Sequence, residues 1–223
     1  MTAPVLKVDR LRVVVAGRRS HGAVMLLDGV SFSLLPGEVL GLSGPSGCGK
    51  STLLRALARL LEPAEGNVWL NGRHWDELDV LEYRKQVCYL PQVPVALAGT
   101  VEDNLRYVFG LHRELKVPGV PGELLDRVHL PRRLLGQAAT TLSVGEKQRL
   151  ALARALALQP GVLLLDEPAS ALDSPNAQHI LDLLAEVCSG GKFSALITSH
   201  AVEHLRIAHR RLFLEEGSVV SRE

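Results

Sequence analysis

The chain has 223 residues, 47% of them hydrophobic and only 4% aromatic, enough for one large domain, or two small ones, with a core of Leu, Val and Ala. A net charge of +1 excludes a gross electrostatic attraction to nucleic acid or anionic lipid. Three cysteines (Cys48, Cys88, Cys188) lack metal-ligand spacing and point to a reducing compartment; Arg55 and Arg59 interrupt the longest membrane-span candidate, and the N-terminus has no basic-then-apolar leader pattern. The expectation is a soluble chain, with any membrane part supplied by another polypeptide.

Partial alternation predicts strands over Val5–Val15 and Met25–Leu35, as in an antiparallel layer, joined by a polar loop at Ala16–Gly22. Pro36-Gly37 predicts a turn. Glu38–Ser43 reads as a buried strand. Ser51–Leu61 reads as a helix, with Leu53, Leu54, Leu57, Leu60 and Leu61 at helical spacing. Between strand and helix stand Gly44, Pro45, Ser46, Gly47, Cys48, Gly49, Lys50, Ser51 and Thr52, which match the phosphate-binding pattern G-x-x-x-x-G-K-[ST]. The glycines let the backbone curl so that successive N–H groups point at phosphate oxygens, and the helix start adds its unpaired N–H groups and positive dipole end. Lys50 would reach the outer phosphates and the Ser51 hydroxyl would ligate Mg²⁺. Cys48 sits where a helix N-terminus lowers a thiol pKa; the plainer reading is a small residue between glycines.

Pro63–Gly66 turns the chain into a strand at Asn67–Leu70, and Asn71-Gly72 is a tight-hairpin signal. Leu81–Lys85 predicts a short helix, and Val87–Leu90 a short buried strand ending at Pro91-Gln92. Helical patterns follow at Thr100–Phe109, Gly122–Val128 and Val144–Leu158, punctuated by Pro118, Pro121 and Pro131. Gly161–Leu165 is a strand, Pro175–Cys188 a helix, Phe193–Thr198 a strand and Ala201–Ile207 a short helix. Arg211–Glu215 and Ser218–Ser221 predict a closing hairpin around Gly217. Strands alternating with helices around the glycine loop imply an α/β fold with a parallel sheet.

Val162–Leu165 ends in Asp166 and Glu167, at the edge of an open sheet where ligands bind. Asp166 would support Mg²⁺ through water, and Glu167 would polarise an attacking water. Ser143 and Glu146 form S-x-x-E, a capping box, before an Ala- and Leu-rich helix.

Leu142-Ser143-Val144-Gly145-Glu146 also resembles the Leu-Ser-Gly-Gly-Gln signature of ATP-binding cassette (ABC) ATPases. Gln92 resembles that family's Q-loop glutamine, Ser170–Asp173 its D-loop and His200 its switch histidine. The resemblance covers essentially the whole chain. It implies a P-loop NTPase with a parallel-sheet core, an antiparallel β layer and an inserted α-helical subdomain. Core and β layer would span about 1–92 and 159–223, and the helical subdomain about 93–158. It implies ATP and Mg²⁺ as ligands. The P-loop Gly44–Thr52, Gln92, Ser143, Gly145, Glu146 and Asp173 would contact nucleotide; Ser51, Gln92 and Asp166 would serve the metal; Glu167 and His200 would be catalytic. Two chains would close head-to-tail on two ATPs, beneath a membrane permease on the inner, cytoplasmic face of the cell membrane. Gln92 would sense Mg²⁺ and couple to that permease, and the apolar loop Val93–Leu97 would suit a partner helix in a groove.

The run Tyr83–Gln92 followed by Thr100–Leu105 resembles short bacterial cassettes of the iron-efflux type, whereas Gly-Pro-Ser-Gly-Cys-Gly-Lys-Ser-Thr is shared with phosphate and amino-acid importers. A soluble cassette acting on DNA or ribosomes is the alternative class; it would carry a long coiled coil or a second cassette, and neither pattern occurs. The sequence departs from the family twice. No aromatic stands near Val13–Ala16 to stack on adenine. Val144 replaces a signature glycine and cannot comfortably adopt a positive φ, so either the position needs none or the signature contact is weakened.

Overall fold

The computed structural model describes residues 2–15, 23–111 and 121–220. Two sheets form the frame. The first is antiparallel: β1 (Leu6–Val15) pairs with β2 (Val24–Leu34) and with β4 (Glu65–Leu70), and β4 pairs with β5 (Arg73–His74). The β4–β5 hairpin turns at Asn71 and Gly72, with φ of 51° and 78°, the left-handed pair that the Asn-Gly signal demands. The Ala16–Gly22 loop lies outside the described residues.

The second sheet has the order β10-β9-β3-β8-β7-β6. Strands β3 (Val39–Ser43), β6 (Val87–Leu90), β7 (Val162–Asp166), β8 (Ser194–Thr198) and β9 (Arg210–Glu215) run parallel; β10 (Ser218–Val220) closes antiparallel on β9. The central strands β3, β7 and β8 are buried on both faces and are mostly apolar, as covered parallel strands are, whereas β9 begins with the exposed Arg210 and Arg211. Leu40, Leu42, Leu164 and Leu196 face the antiparallel layer and helix α1 (Lys50–Leu57). Val39, Leu163, Leu165 and Ile197 face the other way, into one cluster with the helical segments. Those segments are α3 (Val101–Leu111), α4 (Pro121–Arg127), α5 (Val144–Ala157) and α6 (Ser174–Ser189); the short α2 (Val80–Gln86) packs near β6. The two sheets are tied where Asp28 N donates to Gly217 O (2.9 Å) and Ser218 Oγ donates to Asp28 O (3.0 Å).

Three elements differ from the sequence pattern. Helix α1 stops at Leu57 although Leu60 and Leu61 continue its spacing. Arg59 takes φ 55°, and its N–H and that of Leu60 return to the carbonyls of Ala56 and Arg55, a Schellman stop built on an arginine. The Arg59 guanidinium is bonded to Trp75 O (2.9 Å) and Leu78 O (3.0 Å), so a distant loop holds this end. The segment after β8 is a 3₁₀ turn over Val202–Leu205 rather than an α-helix. In the loop after Gln92, Val93 and Val95 are 76% and 58% exposed, but Leu97 is half-buried, its N–H and C=O both bonded to the Asn104 side chain. Leu97 therefore belongs to the fold, and only the valines are free to meet a partner.

The cysteines are free thiols. Burial pushes Cys88 up to about 11 and Cys188 up to about 12, which makes both inert.

Candidate active site

Strand β3 runs into the glycine loop, and α1 begins at Lys50. Gly49 is the N-cap with φ 109°, and a Cβ there would lie 2.9 Å from both Leu26 O and Leu27 Cδ2. Only glycine fits, on conformation and on space. The loop wraps the Lys50 side chain: its Nζ donates to Gly44 O (2.8 Å) and Pro45 O (2.9 Å), and the residue is 6% exposed. A buried ammonium with no carboxylate bonded to it, beside a helix N-terminus, is an anion site.

At the end of β7 stand Asp166 and Glu167, 2% and 5% exposed. Thr198, at the end of β8, organises both: its hydroxyl donates to Asp166 Oδ1 (3.0 Å) and accepts from Glu167 N (3.1 Å). Tyr89 OH, from β6, donates to Asp166 Oδ2 (3.1 Å). Glu167 has φ 52°, and its carbonyl accepts from Ser170 N and Ser170 Oγ. A non-glycine residue held in the left-handed region stores strain, a recurrent feature of functional sites. Burial pushes the Glu167 carboxyl above its ordinary value, against the opposing pull of His200 and Lys50. His200 Nε2 lies 3.5 Å from Glu167 Oε1, too far for a hydrogen bond, so this buried oxygen has no hydrogen-bond partner. The cleft is lined by the loop residues Ser46, Gly47, Gly49, Lys50, Ser51 and Thr52, with Leu26, Gln92, Asp166, Glu167 and His200. Segments far apart in sequence thus meet in one place.

Ser143, Gly145, Glu146 and Asp173 do not line that cleft. Ser143 is the N-cap of α5 with the full capping box: Glu146 N donates to Ser143 Oγ, and Ser143 N and Oγ donate to Glu146 Oε2 (2.9 and 2.8 Å). Those two hydrogen bonds hold the Glu146 carboxyl below its usual range. Val144 is the first helical residue, 60% exposed and not among the described residues with positive φ; the position needs none. Asp173 is the N-cap of α6 and accepts from Asn176 N.

Residues 27–170 match the ABC transporter family. The chain belongs to the ABC transporter family. It is the ATP-binding, ATP-hydrolysing subunit of such a transporter. ABC transporter I family member 17 of Arabidopsis thaliana is 37% identical over 212 residues, 95% of this chain and 81% of that protein. The probable iron export ATP-binding protein FetA of Escherichia coli is 35% identical over 194 residues, 87% of this chain and 86% of FetA. Other relatives are named for mycobactin import and methionine import, so family membership leaves the cargo open. Among solved structures, the ATP-binding cassette MJ0796 in a dimeric post-hydrolysis state bound to ADP and Pi superposes with a TM-score of 0.85, at 26% identity, covering 98% of this chain and 97% of that one.

The sequence pattern missed two polar residues of this ABC site, Thr198 and Tyr89. Thr198 carries a visible signal, a hydroxyl ending an otherwise apolar strand just before Ser199-His200. Tyr89 carries none, because its hydroxyl meets Asp166 only through the β6–β7 register. Among the described residues the cleft lining includes no Phe, Tyr or Trp, and Leu26 is the one large apolar group there. A leucine offers adenine contact area without the hydrogen bonds or ring stacking that read a base. The cassette is therefore expected to discriminate ATP from GTP by less than about tenfold (roughly 1.4 kcal/mol). Competition calorimetry checks this, and a larger preference would mean that another residue reads the base.

Proposed function

We propose that this cassette drives metal-ion efflux, iron in particular, through a separate membrane permease, docked on the cytoplasmic inner face of the cell membrane. The carrying observation is the even match to FetA, which spans most of both chains. The runs Tyr83–Gln92 and Thr100–Leu105 agree with it. No helix among the described residues is long and apolar enough to cross a membrane. Nucleic acid has no part in this scheme. Residues about 1–92 and 159–223 act as core and β layer, and about 93–158 as the helical unit that moves against them.

The roles follow the chemistry of the cleft. The loop N–H groups from Ser46 to Thr52 and the Lys50 ammonium bind the phosphates of ATP. Ser51, Gln92 and Asp166 offer hydroxyl, amide and carboxylate oxygens, a donor set that fits Mg²⁺, and the Asp166 carboxylate is already aimed by Thr198 and Tyr89. Mg²⁺ held there would offset phosphate charge. Glu167 is the general base: its Oε1 accepts no hydrogen bond, faces His200 Nε2 at 3.5 Å and can take a water proton. His200 positions that water and the γ-phosphate.

Ser143, Gly145, Glu146 and Asp173 act on the ATP of a second chain, since they do not line their own chain's cleft. A twofold, head-to-tail pair then completes two sites. In Glu167→Gln, which retains ATP, light scattering in Mg²⁺-free ATP is expected to show a doubling of mass, and Ser143→Arg is expected to abolish it by crowding the γ-phosphate. No ATP-dependent mass gain at any concentration, with binding confirmed, overturns the pairing.

The permease meets Val93 and Val95. Val95→Asp leaves the fold intact, because only the Val95 carbonyl is engaged, by Arg154. In inside-out vesicles carrying the chain with its co-purifying permease, ATP is expected to drive ferrous iron uptake, lost in Val95→Asp while basal hydrolysis stays. ATP-driven release of preloaded phosphate or amino acid from the vesicles, with no iron uptake, would replace the efflux reading with import.

A further inference from the structure

Four buried side-chain polar atoms among the described residues lack a hydrogen-bond partner: Glu167 Oε1, both amide atoms of Gln148, and Arg149 Nε. Three of the four thus sit on adjacent residues of one turn of α5, one turn after Gly145. That part of α5 lies on the segment that follows Glu167: a Cβ at Gly145 would come within 3.2 Å of Ala171 O and Leu172 Cδ2. Close packing of this kind, against a carbonyl oxygen and a leucine methyl, does not by itself fix the direction in which the two surfaces meet. Direction comes from Arg149, which reaches across the seam. Its Nη1 donates to Asn176 Oδ1 on α6 (2.8 Å) and to His129 O (3.0 Å). Asn176 in turn donates through Nδ2 to both Asp173 oxygens (2.9 and 3.1 Å). A continuous polar chain therefore runs from the helix capped by Ser143 to the helix capped by Asp173.

We infer that Arg149 and Asn176 form a positioning pair that sets the Ser143 helix against Asp173, and so fixes the spacing of the two groups that one chain presents to the other chain's ATP. The inference rests on the paired reading above. Neither residue lines the cleft of its own chain, so neither touches the phosphates bound there. Their effect on hydrolysis passes through alignment, and misplacement by about an ångström costs up to roughly a hundredfold in rate. The unpartnered Gln148 amide and Arg149 Nε beside them belong to a seam whose polar groups are incompletely satisfied, a place where a shift of α5 costs few bonds. The remaining polar link is a contact between His179 Nε2 and Arg127 O (2.9 Å), with the His129 and His179 rings stacked beside it. That link ties α6 to the end of α4 and does not reach Asp173.

The test uses Arg149→Met, Asn176→Ala and the double variant in the full chain, alone and in the Glu167→Gln background. ATP affinity of the single chain by calorimetry is expected to stay within about twofold of the parent in all three. Turnover is expected to fall at least about tenfold, and the ATP-dependent pair in Glu167→Gln to weaken by a similar factor. If the two residues act through one another, the double variant falls no further than the worse single variant. Arg149→Lys, which keeps charge without the fork, recovers part of the loss. Parental turnover in Asn176→Ala, or losses that multiply in the double variant, overturns the inference. Should Arg149→Met fail to fold, Asn176→Ala with Arg149→Lys decides alone. A Glu167→Gln chain that pairs with ATP and is unchanged by these substitutions sinks only this inference. A Glu167→Gln chain that never pairs sinks the paired reading and this inference with it.

Discussion

Replacing Glu167 by Gln is expected to leave ATP binding in place and to cut steady-state turnover about a hundredfold or more, the range for loss of a positioned general base. Glu167 is 5% exposed, lines the cleft and carries Oε1, which accepts no hydrogen bond. The amide keeps the shape and removes only the capacity to take a proton. Phosphate binding rests on other atoms, the loop N–H groups and Lys50, so affinity is preserved. The pH profile supplies a second readout. Burial raises the Glu167 pKa, so the carboxyl is protonated, and inactive as a base, up to a higher pH than an ordinary glutamate. Activity is therefore expected to fall on acidification, along a limb displaced above the normal carboxylate range, and the residual activity of Glu167→Gln is expected to lack that limb. For stability the direction is opposite to that of a salt-bridged acid. A raised carboxyl pKa favours the fold at low pH and weakens it as pH rises through the shifted value. At neutral pH the amide is thus expected to match or exceed the parent's melting temperature. Near-normal steady-state ATPase in this variant, measured by phosphate release, would remove Glu167 from the base role.

Lys50→Ala is expected to lose tight nucleotide binding. Among the described residues, Lys50 is the one lysine or arginine that lines the cleft. Its Nζ is held by two carbonyls at 2.8 and 2.9 Å, neutral acceptors that a phosphate oxygen readily displaces. A hydrogen bond to a charged group contributes about 1.5–3 kcal/mol, so removing one such bond weakens affinity by roughly ten- to over a hundredfold. Calorimetry with ATP in the absence of Mg²⁺ measures this directly. Folding is expected to survive, because the substitution also removes a buried ammonium that no carboxylate is bonded to. Unchanged affinity would contradict the phosphate-binding reading of the loop.

Much of this site is legible in the chain because its parts are local. The glycine loop is a contiguous run whose backbone geometry is dictated by glycines at fixed spacing, and Gly49 has both the φ and the crowding that exclude other residues. The Ser143–Glu146 capping box is also local, three residues apart on one helix turn, and the structure holds it bond for bond. The apolar run Val162–Leu165 ending in two acids needs only the rule that a doubly covered parallel strand is apolar throughout.

What tertiary structure decided is long-range. Thr198 and Tyr89 reach Asp166 because β8 and β6 flank β7 in a given register, and neither strand announces its neighbour. The end of α1 was decided by Arg59 bonding to carbonyls 16 and 19 residues away, which overrode a leucine spacing that predicts a longer helix. The same holds for the polar chain from Arg149 through Asn176 to Asp173, where residues 27 apart are joined by one hydrogen bond. Sequence by itself determined the phosphate loop, the acid pair, the helix caps and the alternation of strands with helices, since each depends on residues within a turn or a strand. Which of these elements stand side by side was left to packing, because burial of apolar faces is non-directional and only the completed fold chooses the partner of each polar group.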